Sequence, residues 1–336
     1  MNTDSSKPTL AIIGCGGTIS SLGTGPLDLM DYPDFGRKLS VGEVLERVPE
    51  AATVANILQV PFREVGSSAI TTDDWFALRA TIRRMAAEHP ELAGFVILHG
   101  TATLEETAFF LDLTLGIEQT VVLVGAQRPL SAVGSDAPMN LIAALKTAGA
   151  PQSRGRGVLV VLNDEILAAR DVVKTATLRL HTFQSKDFGP LGVVDADGVF
   201  YYRRIDRPRP ALVFTDLPDQ VALPRVHVLY SHVGADNVLI DAAVAAGARG
   251  LVSAGMAPGM PAKAEKAAFA AAGSAGVALV QCSRASSGRV ASRRALMEQG
   301  WIPGADFSPQ KARILLALGL LQTDDIAVLR ELFASY

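Results

Sequence analysis

Two threonines and a lysine, each placed after a short apolar run, carry the strongest chemical signal in this sequence. The stretch 94–110, GFVILHGTATLEETAFF, opens with an apolar run at 95–98 and turns at His99-Gly100. It resumes with Leu104, Thr107, Ala108 and Leu111 at helical spacing. That pattern predicts a buried parallel strand feeding a helix. In an open α/β sheet, ligands bind at the carboxyl ends of the strands, and helix-start N–H groups face the bound anion. Thr101 therefore stands where a reacting hydroxyl belongs, with Glu105 and Glu106 in the first helical turn. The run 10–13 followed by Gly14-Cys15-Gly16-Gly17-Thr18 repeats the design. Its glycines let backbone approach a ligand closely, and Thr18 is the first hydroxyl after the turn. Lys174, in ARDVVKT at 169–175, follows a strand predicted at 157–162 and the turn Asn163-Asp164. A threonine hydroxyl is a weak nucleophile and needs a base beside it. A lysine serves if burial lowers its pKa, because neutral amine is then present near pH 7.

These groups need a scaffold that brings strand ends together. Strands and helices alternate at short spacing through the first 175 or so residues, the pattern of a doubly wound parallel sheet. Helices are expected at 41–48, at 73–88 capped by Thr72, and from Asp136 to about 147; further strands are expected at 56–62 and 120–124. Residues 20–40 are rich in Gly, Pro and Asp and read as a long loop. Such loops tend to be functional, and this one reads as a mobile lid carrying Tyr32. Residues 204–222, rich in Pro, Arg and Asp, are the expected linker. A second βα series follows, with strands at 226–230, 250–253 and 277–281, helices at 237–246 and 262–272, and two terminal helices at 309–322 and 324–334. The expected architecture is α/β: a doubly wound parallel sheet in an N-terminal domain, 1–203, and a second, smaller α/β domain, 223–336.

With 336 residues, 49% hydrophobic and 19% charged, the chain has the composition of a soluble globular protein with a large core. A net charge of -3 gives no electrostatic reason to expect nucleic acid or an anionic membrane as partner. Two cysteines, Cys15 and Cys282, cannot make a disulfide framework and fit a reducing compartment. The N-terminus reads as a strand and not as a signal peptide, and no run of about 18 apolar residues suggests a membrane span. A cytoplasmic location is expected.

Four ordered motifs carry a resemblance. GGTI at 16–19, HGTATLEETA at 99–108, VGAQRP at 124–129 and RDVVKT at 170–175 resemble GGTI, HGTDTLEETA, VGAMRP and RDVTKT of the bacterial-type asparaginases. The similarity runs from about residue 9 to 336 and includes SPQKARILL at 308–316. It implies an amidohydrolase that releases ammonia or an amine from a small carboxamide, with no metal and no cofactor. The implied catalytic set is Thr18, Thr101, Lys174 and Tyr32, with Thr18 attacking the amide carbonyl and Thr101 and Lys174 forming a second relay. The residues alone leave open which threonine attacks. A homo-oligomer is implied as well, a homotetramer or dimer.

The departures from the family bear on substrate. Ala102 stands where the family has the Asp of HGTDT, and Ser68, in Gly66-Ser67-Ser68, where it has a Gln. Met260 and the acid-free, arginine-rich segment 283–294 replace two further groups that assist in holding an α-ammonium. Ser67, matched to the α-carboxylate contact, is kept. The expected substrate pocket is thus Ser67, Ser68, Ala102, Gly100 and Gly17. Burying an ammonium without partners is costly, so the expected substrate keeps its amide and a carboxylate but lacks a free α-amine. Loss of the Asp also removes a counter-charge from Lys174 unless another acid, such as Glu105, takes its place. A second reading is a scaffold that has lost catalysis and binds a small amide or acid as a regulatory protein. Gly14-Cys15-Gly16-Gly17 as a dinucleotide turn fails because Ile19 stands at the third glycine. His99, without a metal-spaced partner, reads as a hydrogen-bonded structural histidine, and Arg128 as structural.

Overall fold

Short runs of apolar residues become the strands. The structure, a computed structural model, describes residues 6–205 and 213–336, in two compact units. In the first unit, β1 (Thr9–Gly14) leads into the ribbon β2 (Ser21–Leu22) and β3 (Arg37–Lys38), with a single helical turn, α1 (Tyr32–Phe35), between them. Then come α2 (Val41–Arg47), α3 (Ala51–Val54), β4 (Asn56–Val60), α4 (Thr72–Glu88), β5 (Gly94–Leu98), α5 (Leu104–Thr114), β6 (Thr120–Val124), α6 (Ala137–Gly149) and β7 (Val158–Leu162). Five short strands follow: β8 (Glu165–Ala168), β9 (Val173–Lys174), β10 (Phe183–Gln184), β11 (Gly192–Asp195) and β12 (Gly198–Tyr201).

The central sheet has eight strands in the order β12-β11-β8-β7-β6-β5-β1-β4. β4, β1, β5, β6 and β7 are parallel, with Gly14 opposite Leu98 and Leu98 opposite Val124, so three successive strand ends lie side by side. On one face Leu10, Ile12, Val96, Leu98, Val122 and Val124 join Leu141 and Leu145 of α6 and Val44 of α2 in one buried cluster. The alternate residues Ala11, Ile13, Phe95, Ile97 and Leu123 point to the other face and are also fully buried. α4 and α5 are joined by Trp75 stacked on Phe110 at 5.2 Å and by Phe76 edge-on to it at 5.1 Å.

The sheet is not parallel throughout. At Asn163-Asp164, both with positive φ, the chain folds back, and β8 pairs antiparallel with β7. Lys174 therefore does not follow a parallel strand directly: it lies on β9, a ribbon strand paired antiparallel with β10, after the β8 return. Helix α4 is capped by Thr71 and not Thr72; the Thr71 side chain and the Asp74 carboxylate form a reciprocal box. The expected linker 204–222 falls partly on 206–212, which lie outside the described residues. Leu217–Gln220 belong with the first unit, where buried Arg79 donates to Leu217 O at 2.9 Å and Pro218 O at 3.3 Å.

The second unit is a four-stranded parallel sheet, β13 (Val226–Tyr230), β14 (Gly250–Gly255), β15 (Ala278–Ser283) and β16 (Ile302–Pro303), in that order. α7 (Val238–Ala245), α8 (Glu265–Ser274) and α9 (Arg294–Glu298) connect its strands, and α10 (Pro309–Gln322) and α11 (Ile326–Ser335) close the chain. Ile240, Leu251, Phe269, Leu279 and Trp301 form its core. No helix among the described residues is long and apolar enough to cross a membrane.

Candidate active site

The carboxyl ends of β1 and β5 meet through their glycines. Gly16 and Gly17 have φ of 81° and 92°, a conformation that side chains with a Cβ rarely adopt. A Cβ on Gly17 would stand 2.2 Å from Gly100 Cα, and one on Gly16 2.4 Å from Val65 O. Cys15 N–H donates to Leu98 O at 2.8 Å, tying the two strand ends. Gly17 and Gly100 thus pack on each other, and the residues that follow them, Thr18 and Thr101, leave from adjoining backbone.

Each threonine hydroxyl has a partner able to exchange its proton. Thr18 Oγ1 and Tyr32 Oη are 2.7 Å apart. Tyr32 opens α1, whose entry is set by Asp28: its carboxylate accepts the N–H groups of Asp31 at 2.9 Å and Tyr32 at 3.1 Å. Backbone N–H donors, that of Thr24 first and then that of Asp31, hold the Asp28 carboxyl below its ordinary range. The 20–40 segment is tied to the loop after β6, with Leu130 N–H donating to Ser21 O at 2.8 Å and Gly23 N–H to Ser131 Oγ at 2.7 Å.

On the β5 side, Lys174 Nζ donates to Thr101 Oγ1 at 2.7 Å. Thr101 is buried and Lys174 half-buried. Burial lowers the Lys174 pKa, and the Glu105 carboxylate opposes that shift. Glu105, 6% exposed, also accepts the backbone N–H of Lys174. The question left open by Ala102, whether another acid takes the place of the missing Asp, is answered by Glu105, which supplies a counter-charge to Lys174. Thr103, at the N-cap of α5, makes no side-chain cap bond. Thr103 Oγ1 instead donates to Ser67 O at 2.9 Å.

Of the other expected pocket residues, Ser67 is buried against this turn, its Oγ accepting the Ala102 N–H at 3.1 Å. That leaves the Ser67 hydroxyl proton free to be donated. Ala102 and Ser68 are exposed. Gly125, at the end of β6, is pressed against Thr101: a Cβ there would lie 2.9 Å from Thr101 Cγ2.

His99 anchors the turn from behind. It is fully buried, with Nδ1 at 2.8 Å from Gly100 O and Nε2 at 3.0 Å from Thr107 Oγ1. A carbonyl only accepts, so Nδ1 carries the proton and Thr107 donates to Nε2. Trp75 Nε1–H donates to Thr107 Oγ1 at 2.9 Å, completing a chain from α4 to the backbone just before Thr101. Burial lowers the His99 pKa to about 4.

Sequence reading missed the supports of the 124–136 loop. The Asp136 carboxylate accepts from Gln127 N–H at 2.9 Å, Arg128 N–H at 2.9 Å and Asn140 Nδ2 at 3.0 Å. Asn140 also donates to Gly125 O at 3.0 Å and accepts from Asn163 N–H at 2.9 Å, joining β6 to the β7–β8 turn. The signal was present as an Asp at the start of a helix, but its partners lie in a different segment. Arg128, partly buried, donates to Gly134 O at 2.7 Å, a structural role. In the second unit, exposed Arg284 lies 5.7 Å from the Tyr230 ring centre and donates to Ser231 O at 3.1 Å, while Arg294 pairs with Glu298 at 2.8 Å. No cluster of three or more His, Cys, Asp or Glu suited to a metal occurs among the described residues.

Two threonine hydroxyls, each hydrogen-bonded to a titratable side chain, lie just past the carboxyl ends of parallel strands, where proteins of the α/β class hold their ligands. More narrowly, the chain belongs to the asparaginase family and is an amidohydrolase. Residues 9–207 match the family described as Asparaginase, N-terminal, and residues 225–333 the Glutaminase/Asparaginase C-terminal domain. L-asparaginase 2 of Bacillus subtilis is 35% identical over 98% of this chain and 87% of its own length. A probable periplasmic L-asparaginase of Haemophilus influenzae is 36% identical over 98% of this chain and 93% of its own. The crystal structure of a probable cytoplasmic L-asparaginase from Campylobacter jejuni superposes with a TM-score of 0.91 at 34% identity, covering 98% of this chain and all of that one.

Proposed function

We propose that this amidohydrolase hydrolyses a small carboxamide through an acyl-threonine ester on Thr18. The observation that carries the reading is the bond between Lys174 Nζ and Thr101 Oγ1 at 2.7 Å, on the turn that packs against Gly17. Thr18 Oγ1 attacks the carbonyl carbon, and its proton leaves through Tyr32. The C–N bond breaks, and the nitrogen departs as ammonia, or an amine, carrying that proton. Water then attacks the ester; its proton passes by way of Thr101 and neutral Lys174 and finally returns to Thr18 as the carboxylic acid leaves. The depressed pKa of Lys174 favours the neutral amine this step requires.

The substrate we propose carries a carboxylate and lacks a free α-amine. Ser67 offers a hydroxyl proton for a carboxylate, whereas the methyl group of Ala102 and the hydroxyl of Ser68 offer no charge to an ammonium. L-Asparagine is then a poor substrate, and succinamate or an N-acylated asparagine a better one. The test is ammonia release from a panel of asparagine, glutamine, succinamate and N-acetylasparagine, by wild type and Thr18→Ala. Thr18→Ala should lose turnover on every member while its circular dichroism stays unchanged; a near-wild-type rate would reject the nucleophile. No ammonia from any member, with tight binding of one, would favour the regulatory-protein reading.

A homo-oligomer, tetramer or dimer, completes the proposal. Exposed Tyr230, Val233, Val238 and Leu239 on the second unit are the kind of apolar surface that contacts between copies cover. A cytoplasmic location and two domains divided within 204–222 are part of the same reading; Cys15 and Cys282 are free, buried thiols.

A further inference from the structure

We infer that Glu105 is the positioning residue of the Thr101–Lys174 pair: its carboxylate fixes the Lys174 backbone and brings a counter-charge to the Lys174 side chain. The inference rests on the proposed role of Lys174 as a base.

The two segments are far apart in sequence, and one side chain joins them at both levels. Thr101 and Glu105 flank the start of α5, so a single rigid element presents the hydroxyl that Lys174 Nζ touches and the carboxylate that takes its N–H. β9 has two residues and one short partner strand, and so little structure of its own to hold a lysine in place. The bond from Glu105 to the Lys174 N–H supplies the missing constraint. It is charge-assisted, which makes it stronger than a neutral one.

Charge works through the same contact. A carboxylate near an amine favours the ammonium form, while burial favours the neutral one. Lys174 experiences both, burial the larger. Among the described residues, Glu105 is the charge that bears on the Lys174 amine. Arg170 and Asp171, on its own segment, are paired with each other at 3.3 Å. Its cross-strand neighbour is Phe183, and its Nζ partner is the neutral Thr101 hydroxyl. Ala102, next to Thr101, contributes none. Glu105 thus limits how far burial can depress the amine.

Glu105→Gln keeps the shape and an acceptor oxygen but removes the charge. The Lys174 amine then stays neutral to lower pH, so the acid limb of the kcat profile should move down in pH with KM little changed. Placing a carboxylate on the neighbouring turn by adding Ala102→Asp to that variant should move the limb back up, a rescue that repair of packing would not produce. The preferred amide from the substrate panel serves as probe, on the full-length protein. A folded Glu105→Gln enzyme whose acid limb coincides with wild type overturns the inference. If Glu105→Gln does not fold, Glu105→Asp takes its place: charge is kept but reach is shortened, so kcat should fall with the acid limb in position, and a wild-type kcat overturns the inference. Lys174→Met separates the two levels of the argument. Wild-type turnover in that variant would reject the base itself, whereas an inactive Lys174→Met with an unshifted Glu105→Gln profile rejects only the role of Glu105.

Discussion

At residue 102 a single methyl group stands next to the Thr101 hydroxyl, exposed, with its backbone N–H bound to Ser67. An aspartate there would lie between the position expected for a substrate ammonium and the Lys174 amine. Ala102→Asp should therefore raise the kcat/KM ratio of asparagine to succinamate by about tenfold to 150-fold, the equivalent of the ~1.5–3 kcal/mol of a charged hydrogen bond. The same change should move the acid limb of the pH–rate profile upward, because a second carboxylate helps Lys174 hold its proton. Steady-state kinetics on both substrates across pH measure the two effects at once. If wild type already prefers asparagine by a wide margin, the ammonium argument fails.

The element that organises the site is the turn from β5 into α5. It carries Thr101, it packs through Gly100 on the β1 loop, and it is braced by the chain Trp75–Thr107–His99. Helix α5 thus has two polar ends to its work: Glu105 faces Lys174, and Thr107, half a turn further on, faces His99. Thr107→Val keeps the shape of the side chain but removes the acceptor of the buried Trp75 N–H and the donor to His99 Nε2. Each unpaired buried group costs about 1–3 kcal/mol, so chemical denaturation should show a loss of about 2 kcal/mol or more. A loss within experimental error would mean that water or a shifted side chain satisfies both groups.

For the whole molecule, His99 couples the site to acid stability. It is neutral when folded, with a pKa of about 4 in place of the ordinary 6.5, and the unfolded chain binds its proton more readily. The stability this contributes is complete above about pH 6.5 and is lost as the pH falls towards 4. The shift corresponds to about 3 kcal/mol as an order of magnitude. Melting temperatures of wild type and His99→Gln, compared between pH 7.5 and 4.5, should converge at the acid end; parallel curves would show that His99 does not titrate between the two states.

The sequence by itself determined the elements and the inventory of reactive groups. Apolar runs of four or five residues are long enough to bury a strand, and the glycine turns at 14–17 and at His99-Gly100 mark where each strand end must open; both features are local, so they are legible along the chain. Thr18 and Thr101 stand just beyond such runs; Lys174 does not, because the β7–β8 reversal and β8 lie between it and the run at 158–162. What only the tertiary structure decided is pairing. The sequence offers Glu105 as a candidate counter-charge one turn past Thr101, but nothing along the chain says that it meets Lys174. That contact depends on the β7–β8 reversal, which turns the chain at two positive-φ residues and delivers Lys174 to α5 on a separate ribbon. The same holds for Asp136 and Asn140 under the β6 loop and for His99 between Gly100 and Thr107. A hydrogen bond is made by two groups of the right direction within about 3 Å, and distance across a fold is fixed by packing, not by spacing in the chain.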